Sequence, residues 1–500
     1  MKQVSFKEKF LDPIWSLQNS DSSSFVIADV EYSYAQLFDL VEKIYNLLNV
    51  VEDQYVGIHV TDDIRTYASI LALWFHGKTY VPLNPTQPID RHIDTVQSVG
   101  IKYVMAADSR YLVDGVTMLY TNNFDMEGYQ RKNTVQIADV DDTTIAYILF
   151  TSGSTGKPKG VQISRGNVAN FIESMDNIGL DITSSDRCLQ PFDLTFDFSV
   201  SSYVIPLVKG ACVYTVPNKA IKYLYIAELL EDHQLTVLQM VPSMIKSLIP
   251  YMDELDLNCV RYNIFCGEAL NATSIKKWHE GNQKMVSYNM YGPTEDTVFC
   301  TYYVIDEHGI NRIQEKNDIV GIGATFTQSG LLLIDEDNNI ITNPNIEGEL
   351  CLCGPQLTPG YWNNEKENTE KFFVHNGERY YRTGDLCYYE KGGNLMYISR
   401  KDFQVKINGY RVELGEIESL YKEVSRGTFC IVLPYLNETG KTELAMIVEG
   451  KQYDYVEHEE YLKSKLPKYM IPKKWFFMNA LPLNQNGKID RKAIKSNFNL

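Results

Sequence analysis

No stretch of the chain approaches the roughly 18 apolar residues that a membrane-spanning helix needs, and the start, MKQVSFKEKFLDPIW, lacks the apolar segment of a secretory signal. C-x-x-C spacing is also absent. The nine cysteines are scattered, and the nearest pair, Cys351 and Cys353, alternates along ELCLCG, which reads as a strand. An odd number of thiols without metal spacing fits the reduced state of a cytosol. Positive charge is the minority, 47 Lys and Arg against 64 Asp and Glu for a net −17, which argues against broad nucleic-acid binding. There is no internal repeat and no low-complexity tract, and DSSSF at 21 is too short for a linker. A cytoplasmic protein without membrane insertion is the expectation.

What is present is an ordinary globular composition, 44% hydrophobic and 22% charged over 500 residues, more than one hydrophobic core usually fills. Strand-like and helix-like segments alternate through SFVIADV, SYAQLFDLVEKIYNLL, QYVGIHV, RTYASILALWF, KYVMAA, TTIAYILF, TVLQMV and RYNIFCGE. That alternation predicts an α/β protein with extensive sheets and flanking helices, its ligands at strand C-terminal ends. Near residue 400 the texture changes. Two short strands flank Arg400 to Asp402, a helix follows, and TFCIVLPY, ELAMIVEG and HEEYLKSKL complete a small α+β unit. The expected division is a large domain over 1–401 and a small one over 402–500.

One loop stands out, FTSGSTGKPKG at 150–160, after the apolar run TTIAYIL and before VQISRGNVANFIESM, which reads as a helix. It is not a P-loop: only Ser154 and Thr155 separate Gly153 from Gly156, and Lys157 precedes Pro158 instead of a hydroxyl residue. It nonetheless offers free backbone, the hydroxyls of Thr151, Ser152 and Thr155, and the charges of Lys157 and Lys159 to an oxyanion.

With YVPLNP (80–85), FDFSV (196–200), NMYGPTE (289–295), GELCLCGPQLTPGYW (348–362), YRTGDL (381–386), RKDFQVKINGYRVELGEIE (400–418), LPKYMIP (466–472) and NGKIDR (486–491), this loop makes an ordered set. The set resembles the acyl-adenylate-forming superfamily, most closely amino-acid adenylation domains of peptide synthetases and D-alanine–carrier protein ligases. The resemblance runs nearly end to end. It implies that a carboxylate and ATP, with Mg²⁺, give an acyl-adenylate and pyrophosphate, after which the acyl group passes to a phosphopantetheine thiol. Attack of a carboxylate on a phosphate joins two anions, so such chemistry requires cations and oriented donors.

Residue by residue, the resemblance assigns Thr151, Ser152, Gly153, Thr155 and Lys159 to the phosphates, Thr294 to the α-phosphate and Glu295 to Mg²⁺, a hard cation suited to oxygen ligands. Asp385 would take the ribose hydroxyls. Tyr291 would stack on adenine beside Asn289, Gly292 and the Gly267–Glu268–Ala269 backbone, with Arg400 and Lys406 as further nucleotide contacts. Lys488 matches the catalytic lysine, Asp402 the hinge between half-reactions, and Gly409 the loop that approaches the thiol arm.

Asp197 of FDFSV matches the aspartate that pairs with a substrate ammonium, with Asp193 of PFDLTF a local rival. The side-chain pocket would be lined by Phe198, Ser201, Gln239, Ile264, Cys266, Met290, Val298 and Phe299. Met290, Phe299 and Gln239 are bulky and leave room only for a short side chain: glycine, alanine of either hand, serine or threonine. Gln239 and Phe299 depart from the D-alanine ligase pattern, whereas FCGE with Cys266 fits it. No L-G-G-x-S carrier sequence follows Lys488, so a carrier protein would be loaded in trans. Nine Lys or Arg lie between Lys463 and Lys495 against the single acid Asp490, either a solvated face or a docking surface for an acidic carrier. Two rivals remain: an acyl- or aryl-CoA ligase, from which Asp197 and the acceptor thiol discriminate, and a non-catalytic nucleotide-binding protein, which would have lost some of Thr294, Glu295, Asp385 and Lys488.

Overall fold

The computed structural model describes residues 4–124, 129–152, 158–217, 220–402, 404–425, 428–438, 440–482, 489–498 and 500. Two compact units emerge, one of residues 1–85, 95–149 and 160–399, the other of residues 86–94, 150–159 and 400–500. The division falls between Ser399 and Arg400, and the short segments 86–94 and 150–159 group with the C-terminal hundred residues.

Two large sheets dominate the first unit. One is nine-stranded, ordered Ala324–Thr325, Thr301–Ile305, Val286–Tyr291, Tyr262–Phe265, Val237–Met240, Arg187–Gln190, Cys212–Thr215, Ser23–Ile27 and Val30–Ser33. Its interior from Val286–Tyr291 to Ser23–Ile27 is parallel, as helical crossovers between strands require. A seven-stranded sheet runs Gly360–Tyr361, Lys159–Ser164, Ile145–Thr151, Thr79–Leu83, Tyr55–His59, Tyr103–Ala106 and Thr117–Tyr120. The helix Ile64–Phe75 is apolar nearly all round and buried at every residue but Arg65, so it is a core helix rather than a surface one. Trp74, fully buried, meets Phe6 and Phe10 edge-on with ring centroids 5.3 and 4.9 Å away.

The segment after the glycine-rich loop departs from the helix read in the sequence. Lys159–Ser164 is a strand, and the helix begins only at Arg165, running to Asp176. Val161 and Ile163, both β-branched, are buried in the sheet. Ser164 supplies the start signal, its hydroxyl accepting from Asn167 N at 3.1 Å while Asn167 Oδ1 accepts from Ser164 N at 2.9 Å.

The second unit contains the hairpin Gln404–Ile407 and Tyr410–Glu413, turned by Asn408 and Gly409 with φ of 51° and 85°, the left-handed pair that a two-residue hairpin turn demands. Beyond it a three-stranded sheet of Cys430–Leu436, Thr442–Glu449 and Lys474–Met478 packs with the helices Leu414–Val424, Val456–Lys465 and Arg491–Asn497.

Candidate active site

The strand Val286–Tyr291 carries the chain out of the nine-stranded sheet into residues 292–300, which then return as the antiparallel strand Thr301–Ile305. Between the two lies a single 3₁₀ turn, Thr294–Asp296. Thr297 and Val298 follow with φ of 50° and 72°, a conformation that costs β-branched residues about 1–3 kcal/mol each. The surroundings hold it in place. Cys300 N donates to Tyr291 O at 2.8 Å, and Thr358 N to Glu295 O at 2.8 Å. Thr297 Oγ1 donates to Gln356 O at 2.6 Å, while Gln356 Nε2 returns a bond to Phe299 O at 2.7 Å. Gly292 lies so close beneath this loop that a Cβ there would overlap the Val298 carbonyl oxygen and come within 2.7 Å of Phe299 Cα.

The loop brings Thr294 to Asp197. Thr294 Oγ1 donates to Asp197 Oδ2 at 2.6 Å, although the two are 97 residues apart. Asp197 sits at the start of the buried helix Phe198–Val208 and caps none of its N–H groups, which leaves its carboxylate aimed elsewhere. Tyr147, completely buried, is pushed far above the usual phenol range by burial, with Tyr80 and the Asp197 charge adding to the shift. Asp193, the rival, is occupied locally: its Oδ1 accepts from Thr195 N at 2.8 Å and Thr195 Oγ1 at 2.7 Å. It lines a separate open cleft with Asp62, Tyr67 and Gln190.

Two more carboxylates close the group. Tyr361 Oη donates to Glu295 Oε1 at 2.6 Å and lies 3.2 Å from Tyr381 Oη. Tyr291 Oη donates to Asp385 Oδ2 at 2.5 Å, so this tyrosine holds the carboxylate assigned to ribose as well as offering a ring. Asn289 Nδ2 is spent on Gly321 O at 2.9 Å, and Glu268 Oε2 accepts from Ser243 N at 2.8 Å. Gly267 adopts φ of 88°. Among the described residues no three His, Cys, Asp or Glu side chains gather to cage a metal. The carboxylate of Glu295 fits Mg²⁺ held the usual way, by one carboxylate and the phosphates of a nucleotide.

Asp296, next to Glu295, is fully buried, and among the described residues no N–H or O–H group donates to its carboxylate, the Cys300 thiol being only a weak partner. Burial raises its pKa to about 7, the Glu295 charge adding and the Cys300 thiol opposing. A carboxyl whose folded pKa exceeds its unfolded value weakens the fold progressively as pH rises from the unfolded pKa to the folded one. Asp296→Asn is therefore expected to stabilise, by an amount growing from about pH 4 to pH 7 and reaching up to about 4 kcal/mol above that. Urea denaturation at pH 5 and pH 8 reads the difference.

In the second unit, Ser152 Oγ donates to Arg411 O at 2.8 Å and accepts from Glu413 N at 3.1 Å, binding the glycine-rich loop to the hairpin. Thr151 Oγ1 is 3.5 Å from Lys159 O, and Lys159 is buried at the start of its strand. Arg400 grips Asp402 through two nitrogens at 2.9 and 2.6 Å and reaches Gln404 Oε1 at 2.5 Å. Burial would raise the Asp402 pKa, but the Arg400 bonds and charge prevail and lower it. Lys406 is exposed. Gly153, Thr155, Lys157 and Lys488 lie outside the described residues. The basic C-terminal stretch is less bare than its count suggests: Lys463 pairs with Glu459, Lys465 with Asp90 and Arg491 with Glu418.

The residues read as a side-chain pocket come from five places: Phe198 and Ser201 on one helix, Gln239 on Val237–Met240, Ile264 and Cys266 at the end of Tyr262–Phe265, Met290 on Val286–Tyr291, and Val298 and Phe299 in the strained loop. All are buried. Ser201 Oγ and Gln239 Oε1 have no partner among the described residues. Sequence reasoning missed Gln356, Tyr361 and Tyr381. All three lie in quoted motifs, but nothing in the chain order says that Gln356 bridges to residues 297–299 or that Tyr361 reaches Glu295.

Residues 15–362 match the AMP-binding enzyme family. Zwittermicin A synthase ZmaJ of Bacillus cereus is 31% identical over 496 residues, 96% of this chain and 92% of that protein. Bacitracin synthase 1 of Bacillus licheniformis is 30% identical over 492 residues, and there this chain spans only 9% of the relative's length. Among solved structures, the Vibrio cholerae adenylation domain AlmE, in complex with glycyl-adenosine-5'-phosphate, has a TM-score of 0.86 and 28% identity, with 100% of this chain and 98% of that chain covered. The mixed α/β architecture is that of the AlmE adenylation domain, and the chain belongs to the AMP-binding enzyme family.

Proposed function

We propose that the protein activates a small α-amino acid as its aminoacyl-adenylate, releasing pyrophosphate, and then transfers it to the phosphopantetheine thiol of a carrier protein in trans. The observation that carries this reading is the 2.6 Å bond between Thr294 and Asp197. It sets the hydroxyl matched to the α-phosphate beside a buried carboxylate matched to a substrate ammonium. A buried carboxylate favours a cationic partner strongly, so a substrate carrying both an amine and a carboxylate would span the distance between them. The buried pocket residues favour a small side chain, and AlmE, whose complex contains a glycyl-adenylate, is in keeping with that.

In this reading the chain contributes positioning and charge. Asp197 orients the substrate amine, and Thr294 donates to the phosphate that is attacked. Glu295, fixed by Tyr361, would hold Mg²⁺, which neutralises phosphate charge when bound. Asp385, held by Tyr291, fixes the ribose. Lys159 and the loop hydroxyls follow the leaving pyrophosphate, and Lys488 bridges the attacking carboxylate and the nucleotide oxygens. Asp402 acts as the hinge of a small domain over 402–500. The carrier is acidic and meets the basic C-terminal stretch, of which Lys468 and Lys473 are exposed.

ATP–pyrophosphate exchange with a panel of amino acids and simple carboxylic acids tests the reading. Exchange with a small amino acid is expected. Exchange confined to aryl or fatty acids, with coenzyme A as acceptor, would replace it with a CoA ligase. Lys488→Ala is expected to abolish exchange while leaving thioester formation from supplied adenylate largely intact, and equal loss of both steps would remove Lys488 from its role.

A further inference from the structure

Two of the pocket side chains are held by rings that lie outside the pocket set. Phe198 and Phe299 meet edge to face with centroids 5.1 Å apart and planes at 82°. Behind Phe198, Phe192 stacks at 4.2 Å and 23°. Behind Phe299, Phe171 of the helix Arg165–Asp176 packs at 5.9 Å and 63°. Four phenyl rings thus form a continuous row, Phe192, Phe198, Phe299 and Phe171. Phe171 and Phe299 are completely inaccessible to solvent, and Phe198 is 1% exposed.

A ring trapped between two others cannot change rotamer without opening a void, and densely packed interiors resist that. The backbone offers no relief, because Phe299 follows the left-handed Val298 and its carbonyl is bonded by Gln356 at 2.7 Å. On the remaining wall, Gln239 Oε1 and Ser201 Oγ are buried without partners among the described residues. An aliphatic side chain pressed against them would leave both polar atoms facing carbon.

Resting on the amino-acid reading above, we infer that the site takes glycine, and that Phe171 and Phe192 are positioning residues that enforce this by holding Phe299 and Phe198 across the space a larger side chain would need. They touch the rings, not the substrate. Their effect falls on the discrimination between glycine and alanine, where a single methyl group against a closed wall is worth about tenfold or more.

The test is ATP–pyrophosphate exchange by the full chain with glycine, alanine and serine within a complete amino-acid panel, for the wild type and for Phe171→Leu, Phe192→Leu and Phe299→Ala. The wild type should favour glycine over alanine by about tenfold or more. In each variant the alanine-to-glycine ratio of kcat/KM should rise, through a lower KM for alanine. That split separates a positioning role from general loosening, which would depress both substrates together. Phe299→Leu, which removes less volume than the Ala change, keeps the test open if another variant fails to fold. A wild-type preference for alanine, serine or any larger residue would overturn the inference, as would an unchanged ratio in folded variants. Exchange with no amino acid at all would instead overturn the amino-acid reading on which it rests.

Discussion

Asp197→Ala is expected to lower amino-acid-dependent ATP–pyrophosphate exchange by about a hundredfold to several thousandfold. Removing one member of a buried charge pair costs about 3–5 kcal/mol, which converts to that range in rate. Two losses combine: the substrate ammonium loses its counter-charge, and Thr294 Oγ1 loses the acceptor at 2.6 Å that orients it. Asp197→Asn separates them, since the amide oxygen can still accept from Thr294 but carries no charge. If the charge matters most, the Asn variant falls nearly as far as the Ala variant. If exchange with a des-amino acid falls in the Ala variant as far as exchange with the amino acid does, and is kept in the Asn variant, Asp197 serves Thr294 and not an amine.

Gly292→Ala is expected to cost about 3 kcal/mol or more in stability and to remove most exchange activity. The added methyl would overlap the Val298 carbonyl oxygen and approach Phe299 Cα to 2.7 Å. Neighbouring backbone cannot yield cheaply. Thr297 and Val298 already occupy the left-handed region, and the bonds from Cys300 N, Thr297 Oγ1 and Gln356 Nε2 fix the loop on both sides. Because residues 292–300 carry Thr294, Glu295, Val298 and Phe299, a shift there would disturb the positions proposed for phosphate, metal and side chain together. Urea denaturation and exchange kinetics measure the two effects, and a variant with wild-type stability would show that the loop is far more compliant than its bonding implies.

The fold was legible in the sequence wherever periodicity was long. The core helix Ile64–Phe75 and the parallel strands Val237–Met240 and Tyr262–Phe265 lie where the apolar segments RTYASILALWF, TVLQMV and RYNIFCGE place them. The misreading came at residues 161–164, where a short run adjoins a helix and periodicity alone cannot separate strand from helix. Capping chemistry could have done so, since Ser164 and Asn167 mark the start. For the site, motif order supplied Asp197, Thr294, Glu295 and Asp385, but not the tertiary bonds that give them direction. Tyr361 on Glu295 and Gln356 on the 297–299 loop join positions some 60 residues apart, and no local pattern encodes such a pairing. The aromatic row is likewise invisible, because Phe171 and Phe192 come from elements with no motif in common.

The most direct test of the central claim is to incubate the protein with ATP, Mg²⁺ and glycine, with no thiol acceptor, and to identify the products by mass spectrometry. The account predicts glycyl-adenylate and pyrophosphate in equal amounts, formed only when the amino acid is present. Formation of ADP and phosphate, or no adenylate with glycine or with any other amino acid in its place while a carboxylic acid lacking an amine supplied instead is adenylated, would contradict it.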